Sequence, residues 1–302
     1  MKVTILGTGA MACLLGARMA DKADLSLLGS WRTGIFAIRR DGIRCESAAG
    51  LTAVRVGATA DPSECRDSDL LIVAVKSYQT RRAVARARDI LKPGGLALTL
   101  QNGLGNDELL RGAFGAERAA AGIAVLGANM VAPGVVRQCG GEIRIQMQNH
   151  PRIAPAADLF RSAGFVVQVV DDLESLQWGK LVVNSALNPL GALLRATNET
   201  FAERAAAREV FLAVIRESAA AASAAGVTLP YGDPEAYALE VVRGTAGNRC
   251  SMLQDVENGR PTEIDAINGA VVRAAEEAGV PAPWNRMLVQ LIRAAEKGDG
   301  RE

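Results

Sequence analysis

Lys180, Asn184 and Asn188 stand four residues apart in Trp178-Gly179-Lys180-Leu181-Val182-Val183-Asn184-Ser185-Ala186-Leu187-Asn188-Pro189, a stretch that is otherwise apolar. On a helix this spacing puts one ammonium and two carboxamides in a single stripe. Exposed helical stretches elsewhere use Arg and Glu, as in Glu203-Arg204 and Arg216-Glu217. Asn is a poor helix former, so a directed hydrogen-bonding wall explains the stripe better than a solvated face does. Pro189 has no N–H to give, which frees a backbone carbonyl near Ser185. A second polar cluster follows in Asn248-Arg249-Cys250-Ser251-Met252-Leu253-Gln254-Asp255 and Gly259-Arg260-Pro261-Thr262-Glu263-Ile264-Asp265. Thr262 with Asp265 reads as a helix-start box with Asp in place of the usual Glu. Glu263 then falls in a first helical turn, where the helix dipole favours its ionised form, and dipole compensation alone would account for it. Ile264, Ile267 and Val271 give that helix its buried stripe, with Asn268 further along.

A different chemistry begins at residue 7. Val3-Thr4-Ile5-Leu6 is a β-branched, apolar run, followed by Gly7-Thr8-Gly9-Ala10-Met11-Ala12 and an Ala/Leu-rich stretch to Ala20. This is strand, glycine turn, helix. Gly7 permits the turn, Gly9 clears the backbone for a ligand, and the free N–H groups of the helix start face a pyrophosphate. Ala12 replaces the third glycine and still allows close helix–strand packing. The second strand, Asp24 to Leu28, ends without the acid that binds a ribose 2′-hydroxyl; Arg32 follows instead, a cation suited to a 2′-phosphate and hence to NADP over NAD. The apolar strand Asp69 to Val75 delivers Lys76, Ser77 and Gln79 at its carboxyl end, where open α/β sheets bind ligands. Gln101-Asn102-Gly103 follows another strand, Leu96 to Leu100, and the Asn102 amide can both donate and accept there.

The elements that must position these groups alternate as strand and helix as far as Val170. Ile35 to Val56 reads as an inserted hairpin around Glu46–Gly50, Arg81 to Leu91 as a helix, and Pro93-Gly94-Gly95 as a turn. Ala119 to Leu126, Glu142 to Met147 and Phe165 to Val170 read as strands, and Ile153 to Ala163 as a helix. Such alternation predicts a doubly wound sheet. Beyond Val170 no strand is legible. Helices are expected over about 173–195, 200–225, 234–246, 249–257, 262–278 and 284–297, with Gly226 and Gly279 at their C-caps. The reading is therefore an α/β, Rossmann-like dinucleotide-binding domain over residues 1–170 and an all-α domain over 171–302.

Composition excludes several classes. Thirty-four basic residues against thirty-three acidic ones leave a net charge of +1, and no basic stripe is interleaved with aromatics, which argues against nucleic acid. Five cysteines are scattered without a C-x-x-C pair, as in a reducing cytoplasmic setting, and suggest neither disulfides nor a metal site. No leader-like segment opens the chain and no apolar run reaches membrane-spanning length. The sole histidine, His150, lies in a surface turn, which disfavours a histidine–acid dehydrogenase.

Taken together, these blocks resemble the 2-dehydropantoate 2-reductase (ketopantoate reductase) family over essentially the whole chain. The resemblance rests on the glycine loop, Lys76, Gln101-Asn102-Gly103, the Lys180…Asn184…Asn188 stripe, and Ser251-Met252-Leu253-Gln254-Asp255 followed by Thr262-Glu263-Ile264-Asp265-Ala266-Ile267-Asn268-Gly269. It implies NADPH-dependent reduction of ketopantoate to pantoate on the way to pantothenate and coenzyme A. It also implies a second domain like the 6-phosphogluconate dehydrogenase C-terminal domain. Under it, Lys180 is the general acid and Glu263 holds the substrate hydroxyl. Asn184, Asn188, Asn248 and Ser251 position the substrate. Gly7, Thr8, Gly9, Ala10, Met11, Ala12, Arg32, Lys76, Gln79 and Asn102 meet the cofactor, and no metal is needed. Two departures stand near the expected site: Gly127-Ala128 where relatives often carry His before a small residue, and Cys250 where a small polar residue is common. A paralogous reductase of another 2-oxoacid and a non-catalytic NADP(H)-binding redox sensor are the competing readings; the sensor has no use for Lys180 with Glu263. The oligomeric state stays open, a homodimer included.

Overall fold

The computed structural model describes residues 1–48 and 50–296. The chain divides into two compact units, one of Met1–Gln101 with Asn106–Leu173, the other of Asn102–Gly105 with the residues from Glu174 onward. The four-residue excursion at Asn102 has no counterpart in the sequence reading, which put a single boundary near residue 170.

The first unit carries strands β1 (Lys2–Leu6), β2 (Asp24–Leu28), β3 (Ile43–Ser47), β4 (Gly50–Val54), β5 (Gly57–Thr59), β6 (Ser68–Val73), β7 (Leu91–Thr99), β8 (Ala119–Ala132), β9 (Val135–Gln148) and β10 (Val166–Val170). Its helices are α1 (Ala10–Met19), α2 (Arg32–Asp41), α3 (Thr80–Arg86), α4 (Asn106–Phe114) and α5 (Ala154–Ser162). The sheet runs β4-β3-β9-β8-β7-β6-β1-β2-β5, with β10 paired to β9. Its parallel part, β5-β2-β1-β6-β7-β8, has the strand order of a dinucleotide-binding fold. In β1, Val3 and Ile5 enter one apolar cluster with Leu14 and Leu27, while Leu6 enters another with Leu28, Leu71 and Val73. Burial on both faces is why these strands read as near-continuous apolar runs.

Several local expectations are corrected. Ile35 and Ile38 are spaced for a helix and belong to α2, so the hairpin is confined to β3 and β4, antiparallel from Ile43↔Val54 to Ser47↔Gly50. Ala49 lies outside the described residues. The helix expected to reach Leu91 ends at Arg86, and Pro93-Gly94-Gly95 lies inside β7, where the register shifts so that Ser68 pairs with Leu91 but Leu70 with Leu96. The strands expected at Ala119–Leu126 and Glu142–Met147 are the roots of a longer antiparallel pair, β8 with β9. Its outer part has register shifts beside Gly127 and Met130, which breaks the period-2 pattern that reveals a strand.

The described elements of the second unit are all helices: α6 (Leu173–Leu194, whose first residue closes the first unit), α7 (Thr200–Glu203), α8 (Ala205–Ala224), α9 (Pro234–Gly244), α10 (Ser251–Glu257), α11 (Asn268–Glu277) and α12 (Pro283–Ala295). Residue 297, included in the last expected helix, lies outside the described residues. Gly226 and Gly279 take positive φ just past α8 and α11, as C-caps require. None of the described helices is long and apolar enough to cross a membrane.

Candidate active site

Helix α6 is buried along Leu181, Val182, Val183, Ala186, Leu187 and Leu190, which pack in the two apolar clusters of the second unit. That burial fixes which way the polar stripe faces. Lys180 and Asn184 are half-buried, and Asn188 is buried at 5% exposure. The Lys180 Nζ donates to Asn102 Oδ1 at 2.8 Å. Desolvation pulls the Lys180 ammonium down to about 8, and the neighbouring Glu263 carboxylate partly offsets the fall. Lys180, Asn102 and Glu263 therefore form one electrostatic group within the second unit.

Asn102 is held there by backbone fit. Leu104 N–H donates to Ala266 O at 3.0 Å, and Gly103 has φ +79. A Cβ at Gly103 would lie 2.3 Å from Ala266 O, so only glycine allows this approach. Asn102, expected with the cofactor residues, is thus placed beside Lys180.

The segment around Glu263 is not the helix start that the Thr262/Asp265 pattern suggests. Ala266 and Ile267 N–H both return to Glu263 O, and α11 begins only at Asn268. Thr262 N–H and Oγ1 both donate to Glu296 Oε1, at 2.9 and 2.6 Å, so Glu296 takes the place of the capping-box acid, and the Asp265 carboxylate pairs with Arg293 instead. The turn keeps Ile264 and Ile267 in the core while Glu263, 6% exposed, sits close enough to act on Lys180.

Cys250 is the N-cap of α10, its Sγ accepting from Leu253 N–H at 3.4 Å and donating to Asn188 O at 3.4 Å. Burial pushes the Cys250 thiol up. The thiol thus replaces a hydroxyl cap and ties α10 to the end of the stripe, a role the sequence reading missed although its place before Ser-Met-Leu-Gln is an N-cap position. Ser251, first in α10, and Asn248, three residues before it, are both exposed. Asn248 O accepts from Asn198 N–H at 3.1 Å.

The glycine loop occupies the switch point of the first unit's sheet, where β1 pairs with β2 on one side and β6 on the other. Gly7 has φ +127 and donates its N–H to Leu28 O at 2.8 Å, and a Cβ there would lie 3.1 Å from Ala74 O. Gly9 caps α1 with open space where a Cβ would stand. Thr8 is buried and Ala12 fully so, whereas Ala10 and Met11 are half-buried. The first turn of α1 has no acidic residue and no side-chain cap, leaving its N–H groups and positive end available to an anion. These features fit a dinucleotide pyrophosphate. Lys76 caps a short turn beside that loop; Gln79 Oε1 accepts its N–H at 3.3 Å, and Gln79 is exposed. Arg32 is exposed at the first position of α2, just after β2. Gln101, absent from the sequence reading of the site, ties these strand ends together: its Nε2 donates to Val75 O and Thr80 Oγ1, each at 2.7 Å.

Comparison with known proteins gives one family. The model described as ketopantoate reductase PanE/ApbA matches residues 3–152, and its C-terminal counterpart matches residues 172–296. The 2-dehydropantoate 2-reductase of Pyrococcus abyssi is 33% identical, with 100% of each chain covered. The crystal structure of a PanE/ApbA family ketopantoate reductase from Ralstonia eutropha superposes with a TM-score of 0.90 at 32% identity, covering 98% of each chain. D-mandelate dehydrogenase, solved with NADH and anilino(oxo)acetate, has a TM-score of 0.91 at 24% identity over 98% of each chain, a likeness of fold. Motif blocks, two-unit architecture and full-length similarity converge, and the chain belongs to the ketopantoate reductase PanE/ApbA family of oxidoreductases.

Proposed function

We propose that the protein reduces ketopantoate to pantoate with NADPH, Lys180 acting as the general acid. The observation that carries this reading is the Lys180–Asn102–Glu263 group: an ammonium held at 2.8 Å by a neutral amide, its proton loosened by desolvation and retained by a buried carboxylate. A carbonyl that becomes an alkoxide needs a cation or proton donor beside it. When bound, NADPH supplies the hydride that adds to the carbonyl carbon. Lys180 gives its proton to the carbonyl oxygen, becomes the neutral amine that its burial favours, and regains a proton from water. Glu263 keeps the acid form populated and accepts a substrate hydroxyl. Asn184, Asn188, Asn248 and Ser251 orient the carboxylate and hydroxyl groups of the substrate. Gly7 to Ala12 hold the pyrophosphate, Lys76 and Gln79 flank it, and Arg32 takes the 2′-phosphate.

Purified full-length chain, assayed for oxidation of NADPH and NADH with ketopantoate and a panel of other 2-oxoacids, tests the reading. Ketopantoate turnover with kcat/KM of about 10⁴ M⁻¹s⁻¹ or more is expected. Arg32→Ala should weaken NADPH on the order of tenfold and leave NADH unchanged. Activity confined to another 2-oxoacid would make the protein a paralogous reductase. NADPH binding without turnover of any acid would make it a redox sensor.

A further inference from the structure

Pro189 lies inside α6, one residue after Asn188, and has no N–H to donate to Ser185 O. That carbonyl is nevertheless satisfied. Asn268 Nδ2, fully buried at the start of α11, donates to Ser185 O at 2.7 Å. The same Nδ2 donates to Asn285 Oδ1 at 2.9 Å, while Asn285 Nδ2 donates to Ser218 Oγ at 3.1 Å and to Glu217 Oε1 at 2.8 Å. The hydroxyls of Ser218 and Ser185 meet at 2.8 Å, and Ser185 Oγ donates to Val182 O at 2.8 Å. The chain of bonds closes on itself: Ser185 carbonyl, Asn268, Asn285, Ser218, Ser185 hydroxyl. Glu217 anchors it to α12 by accepting the N–H groups of Trp284 at 2.9 Å and Asn285 at 2.7 Å.

Two details set this ring apart from ordinary core polarity. Asn268 Oδ1 is buried with no hydrogen-bond partner among the described residues. The amide orientation is therefore fixed by its donors alone, both spent on acceptors, and the chain tolerates an orphan oxygen to keep them there. The ring also grips α6 at the turn where Pro189 removes a helix hydrogen bond, the turn joining Asn184 to Asn188. Cys250 bonds the same turn through Asn188 O. No member of the ring belongs to the Lys180–Asn102–Glu263 group.

We infer that Asn268, with Asn285 and Ser218 behind it, is a positioning residue: it holds α6 open at Pro189 and so sets where the Asn188 amide points relative to Asn184. The inference rests on the proposed role of these asparagines in holding the 2-oxoacid. It predicts a binding defect rather than a chemical one, because the bonds of the ring go to Ser185, Val182, Ser218, Glu217, Asn268 and Asn285 and not to Lys180, Asn102 or Glu263.

Two variants test it, Asn268→Ala and Pro189→Ala. The second returns an N–H to position 189, which competes with Asn268 for Ser185 O and closes the helix; its helix propensity favours folding. Each variant should raise KM for ketopantoate on the order of tenfold, with kcat changed less than about threefold and NADPH affinity unchanged. A purely structural ring would lower the melting temperature of Asn268→Ala, raise that of Pro189→Ala, and leave KM alone in both. Should Asn268→Ala fail to fold, Pro189→Ala decides: a folded Pro189→Ala enzyme with wild-type KM overturns the inference while the reductase reading stands. A wild-type protein that turns over no 2-oxoacid overturns both.

Discussion

Lys180 shows how surroundings loosen the proton of a single residue. Water gives a lysine a pKa near 10.5, and desolvation on α6 brings it to about 8, with Glu263 acting in the opposite sense. At neutral pH the ammonium is still the main form, yet its proton leaves more readily than from a solvated lysine, the compromise that general acid catalysis near neutrality favours. Under the proposed function the protonated form is the active one in reduction. kcat/KM should therefore be flat below neutrality and fall as pH rises through about 8. Glu263→Gln removes the negative charge that supports the ammonium, so the falling limb should move to lower pH, by up to about one unit. The measurement is the pH dependence of kcat/KM for both proteins; a limb in the same place would mean that Glu263 does not act on the lysine.

At the scale of elements, the crossover Asn102–Gly105 is the joint on which the Lys180 site depends. Gly103 combines φ +79 with an approach to Ala266 O that no side chain can share. Gly103→Ala must move Asn102, Ala266 or both, and Ala266 belongs to the Glu263 turn. kcat/KM should fall by about tenfold or more, while the far-ultraviolet circular dichroism stays that of the wild type, because no helix or strand contains Gly103. An unaltered kcat/KM would show that Asn102 is not needed to hold the lysine. The legibility of this region divides along the same physical line. The stripe on α6 was readable because helical period is local, and so was the freed Ser185 carbonyl, since a proline removes its N–H wherever it sits. The glycine loop was readable because strand, turn and helix are adjacent in sequence. The company of Lys180 and Asn102, seventy-eight residues apart, was not, because it depends on how the chain returns. The Glu263 turn was misread as a helix start because Thr262 and Asp265 satisfy the local rule, yet the Thr262 N–H goes to Glu296 and the Asp265 carboxylate to Arg293, both distant in sequence. The outer β8–β9 pair was missed for a similar reason: register shifts beside Gly127 erase the alternation that marks a strand.

The molecule as a whole separates two kinds of recognition into two cores. Under the proposed function, one unit offers backbone N–H groups and a helix end to the dinucleotide, and the other offers a lysine, a carboxylate and neutral amides to the small oxoacid. With 34 basic and 33 acidic residues, net charge gives little long-range attraction for either anionic ligand, so binding must come from these local groups. This division predicts where a ligand should be felt. NADPH alone, at about a hundred times its dissociation constant, should slow amide exchange at Gly9 to Cys13 and through the Lys76–Gln79 turn, by up to roughly a hundredfold wherever exchange requires its release. Amides buried in α8, α11 and α12 should exchange at their free rates, because their stability comes from the apolar clusters of the second unit and from the Ser185–Asn268–Asn285 ring. Hydrogen exchange read by mass spectrometry, with and without NADPH, measures this directly. Protection spread evenly over both units would show that the cofactor is recognised by the whole molecule, and the glycine loop would then be only part of its site.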